Sequence, residues 1–173
     1  MKIYINANRN QIAYQNGIFG DQFEITVKEY LGLEGKKSPK NKHDCYYNNH
    51  YIEIKQGAFE FNTEYSPEGL KSAFKGSGYV AFISKMEQDP DGMAWFNPSN
   101  VKIYKKVDFI NAIIKYYYAV DKGIIKKTRD KAHLQGLWNV SKNAPHGKKI
   151  YSFMPYIESY ALGSLQDLKN GTV

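Results

Sequence analysis

The sequence contains little cysteine and little arginine. Cys45 is the one cysteine among 173 residues, so neither an internal disulfide nor a cysteine-based zinc site can form. Arg9 and Arg129 are the only arginines, which leaves 22 of the 24 basic residues as lysine. Lysine is a point charge suited to phosphates, whereas bidentate recognition of guanine favours arginine. The composition therefore favours contact with a nucleic-acid backbone over dense base recognition, although an AT-rich coding sequence would enrich lysine equally.

Long hydrophobic runs and the common nucleotide-binding motifs are also missing. The longest apolar stretches, such as residues 79–83, fall far short of the roughly 20 residues of a membrane span. The first ten residues lack the apolar segment of a secretory signal. No Walker or Rossmann glycine pattern occurs. We therefore expect a soluble, cytoplasmic protein.

What the sequence does contain is the composition of a basic globular protein. Its mass is 19.9 kDa, with 42% hydrophobic and 24% charged residues, so the length predicts a single domain over residues 1–173. The formal net charge is +7 and the pI is about 9.2. A domain with this charge attracts polyanions, nucleic acid before an anionic membrane.

The hydrophobic pattern predicts an α+β fold. Phe23, Val27 and Leu31 share one face of a helix over residues 22–31, and Glu24 lies beside that face. Residues 1–18 are expected to form an irregular or strand-like segment. Gly32 and Gly35 are expected to end the helix, and residues 89–92 to form a turn. The remaining predicted strands cover 43–56 in two runs, 79–84 and 101–104, and the remaining predicted helices cover 66–75, 108–120 and 155–169.

The stretch 43–56 predicts a hairpin with acidic residues at its open end. Asn48 and Asn49 separate two β-prone runs, and asparagine tolerates the positive φ that tight hairpins require. A symmetric turn there sets Asp44 directly opposite Glu53, where two like charges destabilise the pair. Lys55 lies on the same face as Glu53. A compensating cation is needed, and a divalent ion such as Mg²⁺ suits two carboxylates on a rigid sheet.

These residues resemble the PD-(D/E)XK nuclease superfamily. Its pattern is a strand acid, a short gap and an acid-x-lysine on the next strand, commonly with an acid on the preceding helix. This chain offers Glu24, Asp44 and Glu53-Ile54-Lys55, within about residues 19–57. His43 stands where the motif has its proline. The resemblance implies a restriction-endonuclease-like αβββαβ core, with a central mixed sheet flanked by helices, and Mg²⁺-dependent phosphodiester cleavage. A C-terminal helical extension would follow.

The resemblance also implies a role for each residue. Asp44 and Glu53 would hold Mg²⁺, for which Mn²⁺ could substitute, together with the backbone carbonyl of Ile54. Lys55 would stabilise developing charge or orient the attacking water. Glu24 would bind a second ion or order a water molecule at the site.

The expected substrate is DNA, reached through basic segments. A loop that leads into Asp44 carries four candidate phosphate contacts, namely Lys36, Lys37, Lys40 and Lys42. Residues 122–131 form a second basic segment, and Tyr116–Tyr118 could stack on bases. Paired cleavage of two strands favours a homodimer. Restriction, resolvase and mobile-element enzymes all fit, and no membrane partner is expected.

Other interpretations remain open at this stage. Acid-x-lysine occurs three times, also at Glu34–Lys36 and Asp167–Lys169, so the tripeptide alone is weak. The hairpin could simply expose its charges to water. A non-catalytic basic protein that coats nucleic acid, or blocks a partner that binds it, is the main alternative. A protein-interaction module that uses Trp95 and Trp138 is a third.

Overall fold

The part of the chain that the structure describes folds into two β-sheets with few helices. The structure is a computed structural model, and it describes residues 1–8, 18–33, 44–56, 78–112 and 157–173. The strands and named helices, in chain order, are β1 (Ile3–Asn8), α1 (Ile18–Tyr30), β2 (Cys45–Tyr47), β3 (His50–Gln56), β4 (Tyr79–Ile83), β5 (Glu87–Gln88), β6 (Met93–Phe96), β7 (Lys102–Lys105), β8 (Gly163–Ser164) and α2 (Leu165–Asn170). Residues 106–112 are also helical. The α+β class expected from the sequence is confirmed.

The larger sheet is mixed and contains the predicted hairpin. Its strand order is β2-β3-β4-β7-β8. β3 pairs antiparallel with β2 and parallel with β4, and β7 pairs antiparallel with β8. A Cβ added to Gly78 would lie 2.6 Å from the carbonyl oxygen of Tyr51, so glycine permits the close approach at the start of β4. The prediction of a buried strand at 79–84 is confirmed, since four of the five β4 residues are buried.

The smaller sheet has the order β1-β6-β5 and is antiparallel. β5 and β6 are joined by the turn predicted at 89–92, in which the Gly92 N–H donates to the Asp89 carbonyl at 2.8 Å. Gly92 has a φ of 89°, a left-handed conformation that favours glycine. β1 confirms a strand within the first 18 residues, but the sequence did not predict this second sheet.

Helix α1 packs its predicted apolar face into the core. Phe23 and Val27 are fully buried, and the Phe23 ring meets Phe96 of β6 edge-on at 5.1 Å between centroids. The helix contacts both β1 and β3. The buried core around it consists of Ile5, Phe23, Val27, Leu31, Cys45, Ile52, Ile54, Ala81, Ile83, Met86, Ala94, Phe96, Val101, Ile103, Leu165 and Leu168.

The two ends of α1 differ from the prediction in position only. The helix begins at Ile18, four residues before the predicted start, and ends at Tyr30. Gly32 adopts a φ of 74°, and the N–H of Leu33 donates to the Lys28 carbonyl at 2.8 Å. A glycine in this conformation ends the helix and satisfies its last carbonyl groups. The prediction that Gly32 stops the helix is therefore confirmed.

The predicted C-terminal helix over 155–169 is wrong in extent. Residues 158–160 form a single 3₁₀ turn, and Gly163–Ser164 then join the larger sheet as β8. The N–H of Leu165 still donates to the Val101 carbonyl of the segment before β7. Helix α2 starts there because Ser164 and Asp167 form a reciprocal capping box. The C-terminal segment thus contributes a strand and a short helix instead of one long helical extension.

The chain divides into two compact units. The first contains residues 1–56, 78–104 and 162–173, and the second contains residues 57–77 and 105–161. The larger part of the described structure, including both sheets up to residue 104, lies in the first unit. No helix in the described ranges is long and apolar enough to cross a membrane. The predicted helix over 66–75 lies outside the described residues, and the αβββαβ core and the single domain stay predictions.

Candidate active site

The β2–β3 hairpin has the predicted turn and register. Asn48 and Asn49 have φ angles of 48° and 63°, the left-handed conformation that a two-residue type I′ turn requires at both positions. Cys45 pairs with Ile52, and both are buried on the core face. The next residue beyond Cys45 is Asp44, which this register sets opposite Glu53. Alternation along β3 then brings acidic and basic side chains to the face away from Ile52.

The Asp44 carboxylate is anchored to the neighbouring strand. Its Oδ2 accepts a hydrogen bond from the backbone N–H of Ile54 at 2.6 Å. This contact holds the Asp44 side chain beside β3, and its carboxyl group lies within hydrogen-bonding reach of Glu53.

Asp44 and Glu53 form a pair of partly buried carboxyl groups. Burial first, and then the negative charge of Glu53, raise the pKa of Asp44 from 3.8 to about 6. The hydrogen bond from Ile54 and the charge of Lys55 act in the opposite direction. The pair thus retains a net electrostatic penalty when both carboxyl groups are ionised. A further cation at this position would relieve that penalty.

Lys55 is the basic member of the same cluster. Its Nζ lies 4.0 Å from Oε2 of Glu53, and the two side chains are 29% and 15% exposed. The ammonium group also lowers the pKa of Asp44, which places it within electrostatic range of both carboxyl groups. The structure therefore brings together three of the predicted site residues, Asp44, Glu53 and Lys55.

Glu24 occupies a different position. Its Oε1 lies 2.7 Å from Nζ of Lys28, one helical turn along α1, and both side chains are partly buried. Among the described residues, no group of three or more His, Cys, Asp or Glu side chains is arranged to hold a metal ion. Glu24 is thus outside any three-carboxylate cluster with the Asp44–Glu53 pair, and its role at a second ion stays a prediction.

Cys45 lies between these charged groups but is not a nucleophile. Burial raises the pKa of its thiol to about 12, with further upward contributions from Asp44, Glu24 and Glu53 and a downward one from Lys28. The thiol is therefore protonated at neutral pH, where a cysteine nucleophile would need the thiolate. Cys45 therefore serves as a small, buried apolar residue of the core.

The Asp44–Glu53 pair fits a magnesium ion by its donor set. Mg²⁺ is bound in enzymes through one or two carboxylates, several waters and the phosphate of the substrate, so two protein ligands suffice. The raised pKa of Asp44 is typical of a carboxyl group that is buried beside a second carboxyl group. The carbonyl of Ile54 was the third predicted donor, and the structure leaves that assignment a prediction.

Two features at this site escaped the sequence analysis. Lys28 pairs with Glu24, which the spacing of four residues on a helix could have indicated. Tyr46 pairs with Tyr51 across the hairpin, which follows from the register that pairs Asp44 with Glu53. The four loop lysines, Lys36, Lys37, Lys40 and Lys42, lie outside the described residues, as do residues 116–118 and 122–131.

Comparison with known proteins gives no match. No protein-family model, no curated protein and no solved structure is similar to this chain.

Proposed function

We propose that the protein is a Mg²⁺-dependent endonuclease that hydrolyses phosphodiester bonds in DNA. The observation that carries this proposal is the interacting cluster of Asp44, Glu53 and Lys55 at the open end of one hairpin. Two carboxylates can hold a metal ion and an ammonium group can stabilise negative charge, and both assist phosphodiester hydrolysis. Their rigid backbone support and partial burial match what such chemistry needs.

The carboxylates and the ammonium group would have different roles because their charges differ. Asp44 and Glu53 would hold Mg²⁺, which supplies charge neutralisation and activation of water when bound. The Ile54 N–H keeps the Asp44 carboxylate oriented toward Glu53. Lys55 would place its ammonium group against the phosphate oxygens or orient the attacking water. Partial burial of these groups strengthens each of these interactions.

The charge of the whole chain supports a polyanionic substrate. A net charge of +7 attracts DNA, and the four lysines of residues 36–42 would contact phosphates next to Asp44. Cleavage of both strands would use two active sites, so we propose a homodimer. Restriction, resolvase and mobile-element substrates all satisfy these requirements.

The test is cleavage of supercoiled and branched DNA with Mg²⁺ or Mn²⁺. We expect the wild-type protein to cleave, and chelation with EDTA to abolish cleavage. Glu53→Gln and Lys55→Ala should each lower the rate about 100-fold or more, because each removes a charge from the reacting centre. Calorimetry should separate them: Glu53→Gln loses Mg²⁺ binding, whereas Lys55→Ala retains it.

Glu87→Gln and Lys85→Ala are matched controls, because both side chains are exposed and lie outside the hairpin. Each should cleave within about twofold of the wild-type rate. Equal activity of the wild type and all four variants would refute the site assignment. DNA binding by the wild type without any metal-dependent cleavage would instead favour a non-catalytic basic protein. Sedimentation of the same mixtures measures the oligomeric state, and a monomer would contradict the homodimer.

A further inference from the structure

An aromatic pair lies next to the candidate active site on the β2–β3 hairpin. Tyr46 and Tyr51 are directly opposite in the register, with ring centroids 4.9 Å apart and planes tilted by 54°. Tyr51 shares its strand face with Glu53 and Lys55, because alternate residues of a strand point the same way. One face of one hairpin therefore presents two aromatic rings followed by the charged cluster.

This pair differs from the aromatic residues that build the core. Tyr47, on the opposite face of β2, packs against the core, and Cys45 and Ile52 on that face are buried. Tyr46 is instead 39% exposed, and Tyr51 is half-buried. A cross-strand aromatic pair stabilises a hairpin by itself, so its exposure and its position beside the charges are what point to a ligand.

The spacing along β3 suits a nucleic-acid strand. Tyr51 precedes Glu53 by two residues, about 6.8 Å of strand. That length corresponds to about two nucleotides at the stacked spacing of ~3.4 Å. A phosphate held at the charged cluster would therefore bring a neighbouring base to the tyrosine rings. Bases in an intact duplex have both faces covered by their neighbours, so only an unpaired base can stack there.

We infer that Tyr46 and Tyr51 form a stacking platform for an unpaired nucleobase near the scissile phosphate. The inference rests on the proposed function and narrows its substrate class. The preferred substrate is DNA with a single-stranded segment at the cleaved position, as in a flap, a branch or a free single strand. Tyr46 supplies the exposed ring, and Tyr51 fixes its orientation from the opposite strand.

The experiment measures binding of labelled single-stranded and duplex DNA of equal length in EDTA, where no cleavage occurs. Tyr46→Val keeps a β-prone residue but removes the ring, and should weaken single-strand binding about 10-fold while duplex binding changes less than about twofold. Tyr46→Phe keeps the ring and loses only the weak 3.4 Å contact to Asn49, so it should bind as the wild type does. Tyr4→Val, on an exposed strand tyrosine of the smaller sheet, is the matched control and should have no effect.

Each outcome decides between alternatives. An equal loss for both DNA forms in Tyr46→Val, or no loss for either, overturns the platform. Single-strand binding by Tyr46→Phe that is as weak as binding by Tyr46→Val would also overturn the platform, because the aromatic ring would then not be the contact. Absence of cleavage by the wild type refutes the nuclease proposal but leaves this binding result intact. In the nuclease itself, Tyr46→Val should reduce the preference for flapped over duplex DNA.

Discussion

At the scale of single residues, the surroundings of Asp44 have two opposite consequences. The features that would make it a metal ligand, its partial burial and its closeness to Glu53, also raise its pKa to about 6. Perturbed pKa values of this kind cluster at functional sites because catalysis requires charges that folding alone disfavours. Asp44 thus lowers stability at neutral pH in the absence of a cation, which gives a test independent of any DNA substrate.

Asp44→Asn should raise the free energy of unfolding at pH 7 by about 1–3 kcal/mol without divalent ions. The folded-state pKa lies above the ordinary value of 3.8, so the folded protein binds more protons between pH 3.8 and 6. Stability contributed by the protonated form is therefore lost as the pH rises through that window. Asparagine keeps an oxygen acceptor for the Ile54 N–H and has no charge to desolvate. Urea unfolding at pH 7 and pH 4 measures the difference.

The increase in the free energy of unfolding caused by Asp44→Asn should shrink toward zero at pH 4, where wild-type Asp44 is protonated in the folded state. Mg²⁺ should stabilise the wild type and not the variant, because a ligand that binds the native state raises its stability. Glu87→Gln, which removes an exposed carboxylate, serves as the control for the loss of one negative charge. A stability change that is the same at both pH values would contradict the assigned environment of Asp44.

At the scale of elements, the hairpin turn decides whether the charged cluster exists. Both turn residues have positive φ, and the register that follows from a two-residue turn sets the carboxylates opposite one another. A longer turn, or a slip by one residue, would direct Glu53 and Lys55 to the core face. The site therefore depends on two asparagines that lie outside the charged cluster.

Asn49→Val should lower the stability by about 1–2 kcal/mol, since a non-glycine residue with a branched Cβ is strained in the left-handed region. Asn49→Gly should be at least as stable as the wild type, because glycine accepts this conformation without strain. Both variants lose the 3.4 Å contact between Tyr46 and the Asn49 side chain, so that contact cannot explain a difference between them.

The cleavage rates of the two Asn49 variants should rank in the same order as their stabilities when both variants are folded. Asn49→Gly should retain activity within about twofold, and Asn49→Val should lose more than its unfolded fraction accounts for. Urea unfolding combined with initial cleavage rates measures both effects. Equal stability of the valine and glycine variants would show that the turn is not the conformation assigned here.

At the scale of the whole molecule, the positive net charge would attract the proposed DNA substrate. Most of the basic residues are lysines, which bind phosphates without reading sequence. The loop lysines are next to Asp44 in the chain, so a DNA backbone bound there would run into the charged cluster. Salt dependence measures such contacts directly, because each neutralised phosphate releases counterions.

The double variant Lys36→Ala/Lys37→Ala should bind DNA more weakly and reduce the slope of log K against log salt by about 2. Lys85→Ala/Lys102→Ala removes the same charge at two exposed positions outside the loop and should leave the slope nearly unchanged. Anisotropy titrations in EDTA from about 50 to 200 mM salt cover the range in which such contacts are lost. A slope as steep as that of the wild type would exclude the loop from the interface.

The sequence by itself determined the local parts of this protein. Asn48-Asn49 and the alternation around it predicted the hairpin and its register, and the spacing of Phe23 and Val27 predicted the buried face of α1. Gly32 and Asp89–Gly92 likewise predicted a helix end and a turn. These predictions hold because φ preferences and side-chain alternation act between residues that are neighbours in the chain.

Only the tertiary structure decided the second sheet, the parallel pairing of β3 with β4, and the strand at Gly163–Ser164 that replaces much of the predicted C-terminal helix. Long-range pairing overrides local propensity, because satisfied backbone hydrogen bonds and buried apolar area outweigh the weak preference of a short segment. The raised pKa of Asp44 is another feature that only the tertiary structure decided. Its cause is burial, which depends on residues distant in the chain and cannot be deduced from spacing.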